Sequence, residues 1–90
     1  MCRNIRTLFN FDPPATQQEI QAAAEQFVRK VSGTSHASQA NRVACDRASA
    51  EISAVVSELL ATLVTRAEPK NREIEAARAK ARSRQRFAGN

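Results

Sequence analysis

The chain has no tryptophan or tyrosine among its 90 residues, and only two glycines, three prolines, two cysteines, one methionine and one histidine. Each shortage excludes something. All-β folds need turn residues every ten positions or so, and this chain cannot supply them. Two cysteines cannot staple a disulfide scaffold, and they suit a reducing compartment. The opening Met1-Cys2-Arg3-Asn4-Ile5-Arg6 has no apolar h-region, so no signal peptide is expected. No stretch approaches the roughly 18 apolar residues of a membrane span. The expected setting is the cytoplasm, without a membrane. His36 has Ser35 and Ser38 as loop neighbours, and they cannot hold it as a catalytic base without a third group. A Gly-rich phosphate loop, Cys-x-x-Cys and paired-histidine motifs are missing too. No metal and no cofactor is expected, and the balance is against an enzyme.

What the chain does have is alanine and charge. Alanine makes up 17 of its 38 apolar residues and cysteine two, which leaves 19 large ones (Val, Ile, Leu, Met, Phe), near the lower limit for a self-sufficient core. Sixteen of these lie between Ile5 and Val64. Charge divides the other way. Residues 1–65 carry six basic and six acidic side chains, and residues 66–90 carry eight and three, so the whole net charge of +5 sits in the tail. The reading is an all-α protein with a helical body over 1–68 and a basic C-terminal helix or tail over 69–90. Glu68-Pro69 marks the join, because the residue before a proline is pushed out of the α region.

Within the body, Ile5, Leu8 and Phe9 are spaced for a short N-terminal helical segment, stopped by Asp12-Pro13-Pro14. Thr16-Gln17-Gln18-Glu19 is a capping box, and it predicts a helix over about 17–32. Ile20, Ala24, Phe27, Val28 and Val31 form its apolar face, and Gly33 suits the left-handed residue that ends it. Ser38 caps a second helix over about 39–66, and the two helices form an antiparallel hairpin. Residues Ile52 to Val64 spread apolar side chains over about half the circumference of the second helix, more than one neighbour needs. A partner helix or a second copy of the chain is implied, with Val56, Leu60 and Val64 as interface candidates. Ser49, Ser53 and Ser57 repeat every four residues on another side, as either a solvated face or a close helix contact. A third, basic helix over about 70–85 has only a thin apolar line, Ile74, Ala77 and Ala81.

Two further site candidates stand out. Cys2 lies within one helical turn of Arg3 and Arg6, and positive charge favours a thiolate. The opposing reading is an ordinary terminal cysteine packed on the body. Cys45 reads as a small buried hydrophobe. In the tail, Arg78, Lys80, Arg82, Arg84 and Arg86 have no acid between them, which suits phosphate binding to nucleic acid or a solvated tail paired with Glu73 and Glu75. Phe87 is the lone aromatic there, so base stacking is poorly supported.

Laid out this way, Met1-Cys2-Arg3-Asn4-Ile5, Leu8-Phe9-Asn10-Phe11, Pro13-Pro14-Ala15-Thr16, Glu19-Ile20 and Phe27-Val28-Arg29-Lys30-Val31-Ser32-Gly33 resemble a family of short bacterial proteins, domain of unknown function 2277. Arg72-Glu73 and Ala79-Lys80-Ala81-Arg82-Ser83 in the tail are also similar. The resemblance implies no mechanism and no site residue. Phe9 to Lys30 is similar to the start of a J domain of Hsp70 co-chaperones. Those domains place His-Pro-Asp in the interhelical loop, where this chain has His36-Ala37-Ser38, so the Hsp70-stimulating activity is not implied. Three functions follow, in this order: a helical interaction module, a nucleic-acid-associated protein acting through the tail, and a thiol activity at Cys2.

Overall fold

A computed structural model describes residues 3–34 and 36–88. Along the chain come β1 (Phe11–Asp12), α1 (Gln17–Ser32), α2 (Gln39–Thr62), β2 (Lys70–Asn71) and α3 (Arg72–Ala88). The protein is mainly all-α, and α1 and α2 form the antiparallel hairpin.

Helix α1 has both ends closed by local chemistry. The Thr16 hydroxyl accepts from the Glu19 N–H at 3.1 Å, and the Glu19 carboxylate accepts from the Thr16 N–H at 2.9 Å. At the other end Gly33 takes φ 76°, and the N–H groups of Gly33 and Thr34 both reach the Arg29 carbonyl. Arg29 and Lys30 in the last turn oppose the helix dipole.

Helix α2 is less well framed. Ser38 holds the N-cap position with no side-chain bond to the helix. The helix stops at Thr62 rather than near Arg66. The Thr62 hydroxyl donates to the carbonyls of Glu58 and Leu59, at 3.0 and 3.1 Å, and Leu63 turns extended. Back-bonding of this kind, followed by the β-branched Val64 and Thr65, works against further helix.

The N-terminal segment is not the helix that its apolar spacing suggests. Residues 3–10 run as bends and irregular chain. One or two turns cannot offset the cost of helix nucleation, and here tertiary partners hold the backbone instead. The Asn4 N–H donates to Gln26 Oε1 at 2.8 Å. Asn10 adopts φ 65°, a left-handed conformation that asparagine tolerates. Its amide donates to the carbonyls of Ala67 and Glu68, and its own carbonyl accepts from the Lys70 N–H at 2.9 Å. Next to it β1 and β2 pair in parallel, Phe11 with Lys70 and Asp12 with Asn71. This pairing delays α3, which begins at Arg72 rather than directly after Pro69. Asn71 Oδ1 caps it by accepting from the Ile74 N–H at 3.0 Å.

The result is a slab of 43 × 40 × 16 Å with a radius of gyration of 15.8 Å. A compact 90-residue domain would have about 12 Å. Helix α1 packs along α2, β1 pairs with β2, and β2 leads into α3, but no comparable packing joins α3 to either helix of the hairpin. Only Ile20 and Ala24 are buried apolar residues among those described.

Candidate interaction surfaces

The seam of the hairpin is made of small side chains. Ala24 on α1 is 2 % exposed and Ser53 on α2 is 6 % exposed. Ser49 and Ser57 flank Ser53 and are half-buried, and the Ser57 hydroxyl donates to Gln17 Oε1 at 3.1 Å. The serine repeat is therefore the close helix contact, not a solvated face. Small residues let the two backbones approach. The cost is that the buried Ser53 Oγ has no hydrogen-bond partner among the described residues.

Packing on the serines turns part of the apolar arc of α2 away from α1. Leu60, Val56 and Ile52 come next round the helix from Ser53 and are half-buried. Leu59 and Val55 lie farther round, and they are 50 % and 66 % exposed. Phe27 and Val31 on α1 are exposed as well, although the sequence pattern placed them on the same face as Ile20. With Ala24 and Ser53 turned towards each other, a step of 100° per residue puts Phe27, Ile52 and Leu59 on one side of the hairpin, with Val31 and Val55 at its margins.

The interface candidates from the sequence, Val56, Leu60 and Val64, fall in different surroundings. Val56 and Leu60 are partly covered within the chain, and Leu60 lines a groove with Leu8, Phe9, Phe11 and Ile20. Val64 lies beyond the end of α2 and is 93 % exposed. Periodicity alone did not single out Val55 and Leu59, because it shows the width of an apolar arc but not which edge a neighbour covers.

Glu19 ties three parts of the chain together. Besides the cap bonds to Thr16, its Oε2 accepts from the Arg6 guanidinium at 2.9 Å and from the Arg72 guanidinium. The N-terminal segment, the start of α1 and the start of α3 thus meet at one carboxylate. The Thr16 N–H, and then the two guanidiniums, hold the Glu19 carboxyl below its ordinary 4.5, against the opposing effect of burial. Beside it lies a groove of about 370 Å³, with Thr7, Leu8, Phe11 and Ala15 on one wall and Ala76 and Ala79 on the other.

This contact bears on the thiol candidate. Cys2 lies outside the described residues. Arg3 is exposed, and Arg6 is committed to Glu19 and to the Arg3 carbonyl. Cys45 is half-buried and unpaired, and His36 is exposed in its loop. Among the described residues no three histidine, cysteine or carboxylate side chains cluster as a metal would require, and no helix is long and apolar enough to cross a membrane.

The basic candidates all lie on α3. Arg78 pairs with Glu75 at 3.2 Å. Lys80, Arg82 and Arg84 are exposed, and no ion pair is found for them among the described residues. The Arg86 side chain lies outside the described part of the helix.

The family model described as Uncharacterized conserved protein (DUF2277) matches residues 1–78. The chain belongs to this family. The span matched to DUF2277 takes in the Glu19 junction and the whole hairpin, and it ends at Arg78, before Lys80, Arg82 and Arg84. No curated protein and no solved structure matches the chain.

Proposed function

We propose that this DUF2277 protein is a non-enzymatic interaction module that self-associates through the apolar face of its α1–α2 hairpin. The observation that carries this reading is the exposure of Val55 and Leu59 on a helix whose opposite side is already packed on α1. Domains bury such a face against a second layer, and α3 does not provide one here.

Surface area argues for a second copy as the occupant. The chain exposes 7407 Å², against about 5,200 Å² for a compact monomer of its 9.9 kDa mass. The excess of about 2,200 Å² is larger than the roughly 800 Å² that each partner buries in a standard interface. A two-fold pairing of hairpin faces covers Phe27, Ile52 and Leu59 of both copies at once. The scarcity of cysteine suits an assembly in the reducing cytoplasm.

Sedimentation equilibrium at micromolar concentration tests the reading. The expected result is a dimer that Leu59→Asp and Val55→Asp convert to a monomer of unchanged helicity. A wild-type monomer that binds no apolar dye would refute it.

A further inference from the structure

The outer edge of α3 has a construction that the hairpin reading leaves unused. The side of α3 turned to the body carries Arg72, Glu75, Ala76 and Ala79, which line the groove beside Glu19. Helix geometry then directs Ile74, Ala77 and Ala81 to the opposite, outer side, and all three are exposed. Lys80 and Arg84 fall on one flank of this line, and Arg78 and Arg82 on the other. The only acids of α3, Glu73 and Glu75, are in its first turn.

We propose that this edge docks in the major groove of duplex DNA, with the two cation rows on the two phosphate backbones. A helix about 10–12 Å across fits a major groove about 12 Å wide. The alanines at Ala77 and Ala81 keep the inserted side shallow, so the flanking cations reach both strands. Phosphate contacts position a protein without reading sequence, and alanine offers no donor or acceptor to a base edge, so binding is independent of sequence. Double-stranded RNA is a poor substitute, because its major groove is too deep and narrow for side chains to read. A membrane surface is disfavoured, since one isoleucine and two alanines make too small an apolar face to enter a bilayer. These residues are separate from the hairpin face, so this site stands whether or not the chain self-associates.

Fluorescence anisotropy on the full chain tests the proposal. The probes are two short DNA duplexes of unrelated sequence and a double-stranded RNA of equal length, with heparin retention as a measure of plain charge. Both DNA duplexes should bind alike, and RNA more weakly. Four phosphate contacts give a slope of log K against log salt of about −3.6, and the double change Lys80→Ala and Arg84→Ala should make it shallower by about 2. Ala77→Phe keeps the charge but blocks the inserted side, so it should lose DNA binding and retain heparin binding. Circular dichroism confirms that each variant keeps its helices. No DNA binding at about 50 mM salt would overturn the proposal, since the electrostatic contribution is strong there. Equal binding of RNA would overturn it too, as would DNA binding that Ala77→Phe leaves intact.

Discussion

The two sides of α2 are built in opposite senses. The side against α1 carries Ser49, Ser53 and Ser57, small and partly polar, and Ser53 is buried. The far side carries Val55 and Leu59, large and apolar, and both are exposed. In a self-contained monomer the larger side chains would be inside, because burying a leucine or valine gains about 1.5–3 kcal/mol. The inversion shows that small side chains, Ala24 and Ser53, make the centre of the intramolecular contact. The hydrophobic gain still available to this helix lies at Val55 and Leu59, the face through which we propose that the chain self-associates.

The contrast can be broken from either side. The largest effect on the isolated chain should come from Ile20→Ala, which truncates one of the two buried apolar side chains among the described residues and should cost about 2–5 kcal/mol in urea unfolding. Leu59→Ala is the counterpart on the exposed side. It should cost the monomer less than about 1 kcal/mol and act on association instead. A loss for Leu59→Ala as large as that for Ile20→Ala would mean that both sides of α2 serve one core.

Glu19 gives a sharper test of how the N-terminal segment and α3 are held. Its carboxyl is lowered in the folded chain by the Thr16 N–H, Arg72 and Arg6. A depressed acid contributes stability above its unfolded pKa and loses that contribution as pH falls through its folded pKa. Stability should therefore decline as pH is lowered from 4.5. Glu19→Gln should flatten that part of the pH profile and destabilise the chain at neutral pH. An unchanged acid limb in the variant would show that the junction is not coupled to folding. Thr16→Ala, which removes only the hydroxyl half of the cap, should cost about 1 kcal/mol.

The smallest effect should have the opposite sign. Ser53→Ala removes a buried hydroxyl without a partner and keeps the seam small. It should raise stability slightly, by up to about 1 kcal/mol, because an unsatisfied buried polar group costs about 1–3 kcal/mol. A loss on this substitution would mean that the hydroxyl is satisfied by water.

Much of the architecture was legible in the chain, for reasons that are local. Thr16 and Glu19 are three residues apart, and Gly33 follows the last turn, so α1 was framed by bonds that depend on neighbours in sequence. The fault lines in the expectation were places where distant residues compete with local spacing. Ile5, Leu8 and Phe9 have helical spacing, yet Gln26, Glu19 and the segment 67–70 engage the backbone and side chains around them. The candidate surfaces were only half visible. Periodicity showed that the arc from Ile52 to Val64 was too wide for one neighbour, and the charge split showed where the cations lie. Neither indicates which direction on a helix another helix occupies.

By itself, then, the sequence determined the helical class, the hairpin, the caps of α1 and the concentration of positive charge in the tail, because propensity, capping and charge act within a few residues. Tertiary structure decided that α1 packs on Ser53 and its flanking serines, with Leu60 at the edge of the seam and Val55 and Leu59 left outside it. It also joined Arg6 and Arg72 at Glu19 and turned Ile74, Ala77 and Ala81 outward. These depend on where residues 13 to 53 positions apart come to lie, and side-chain packing and charge pairing between them are properties of the three-dimensional structure alone.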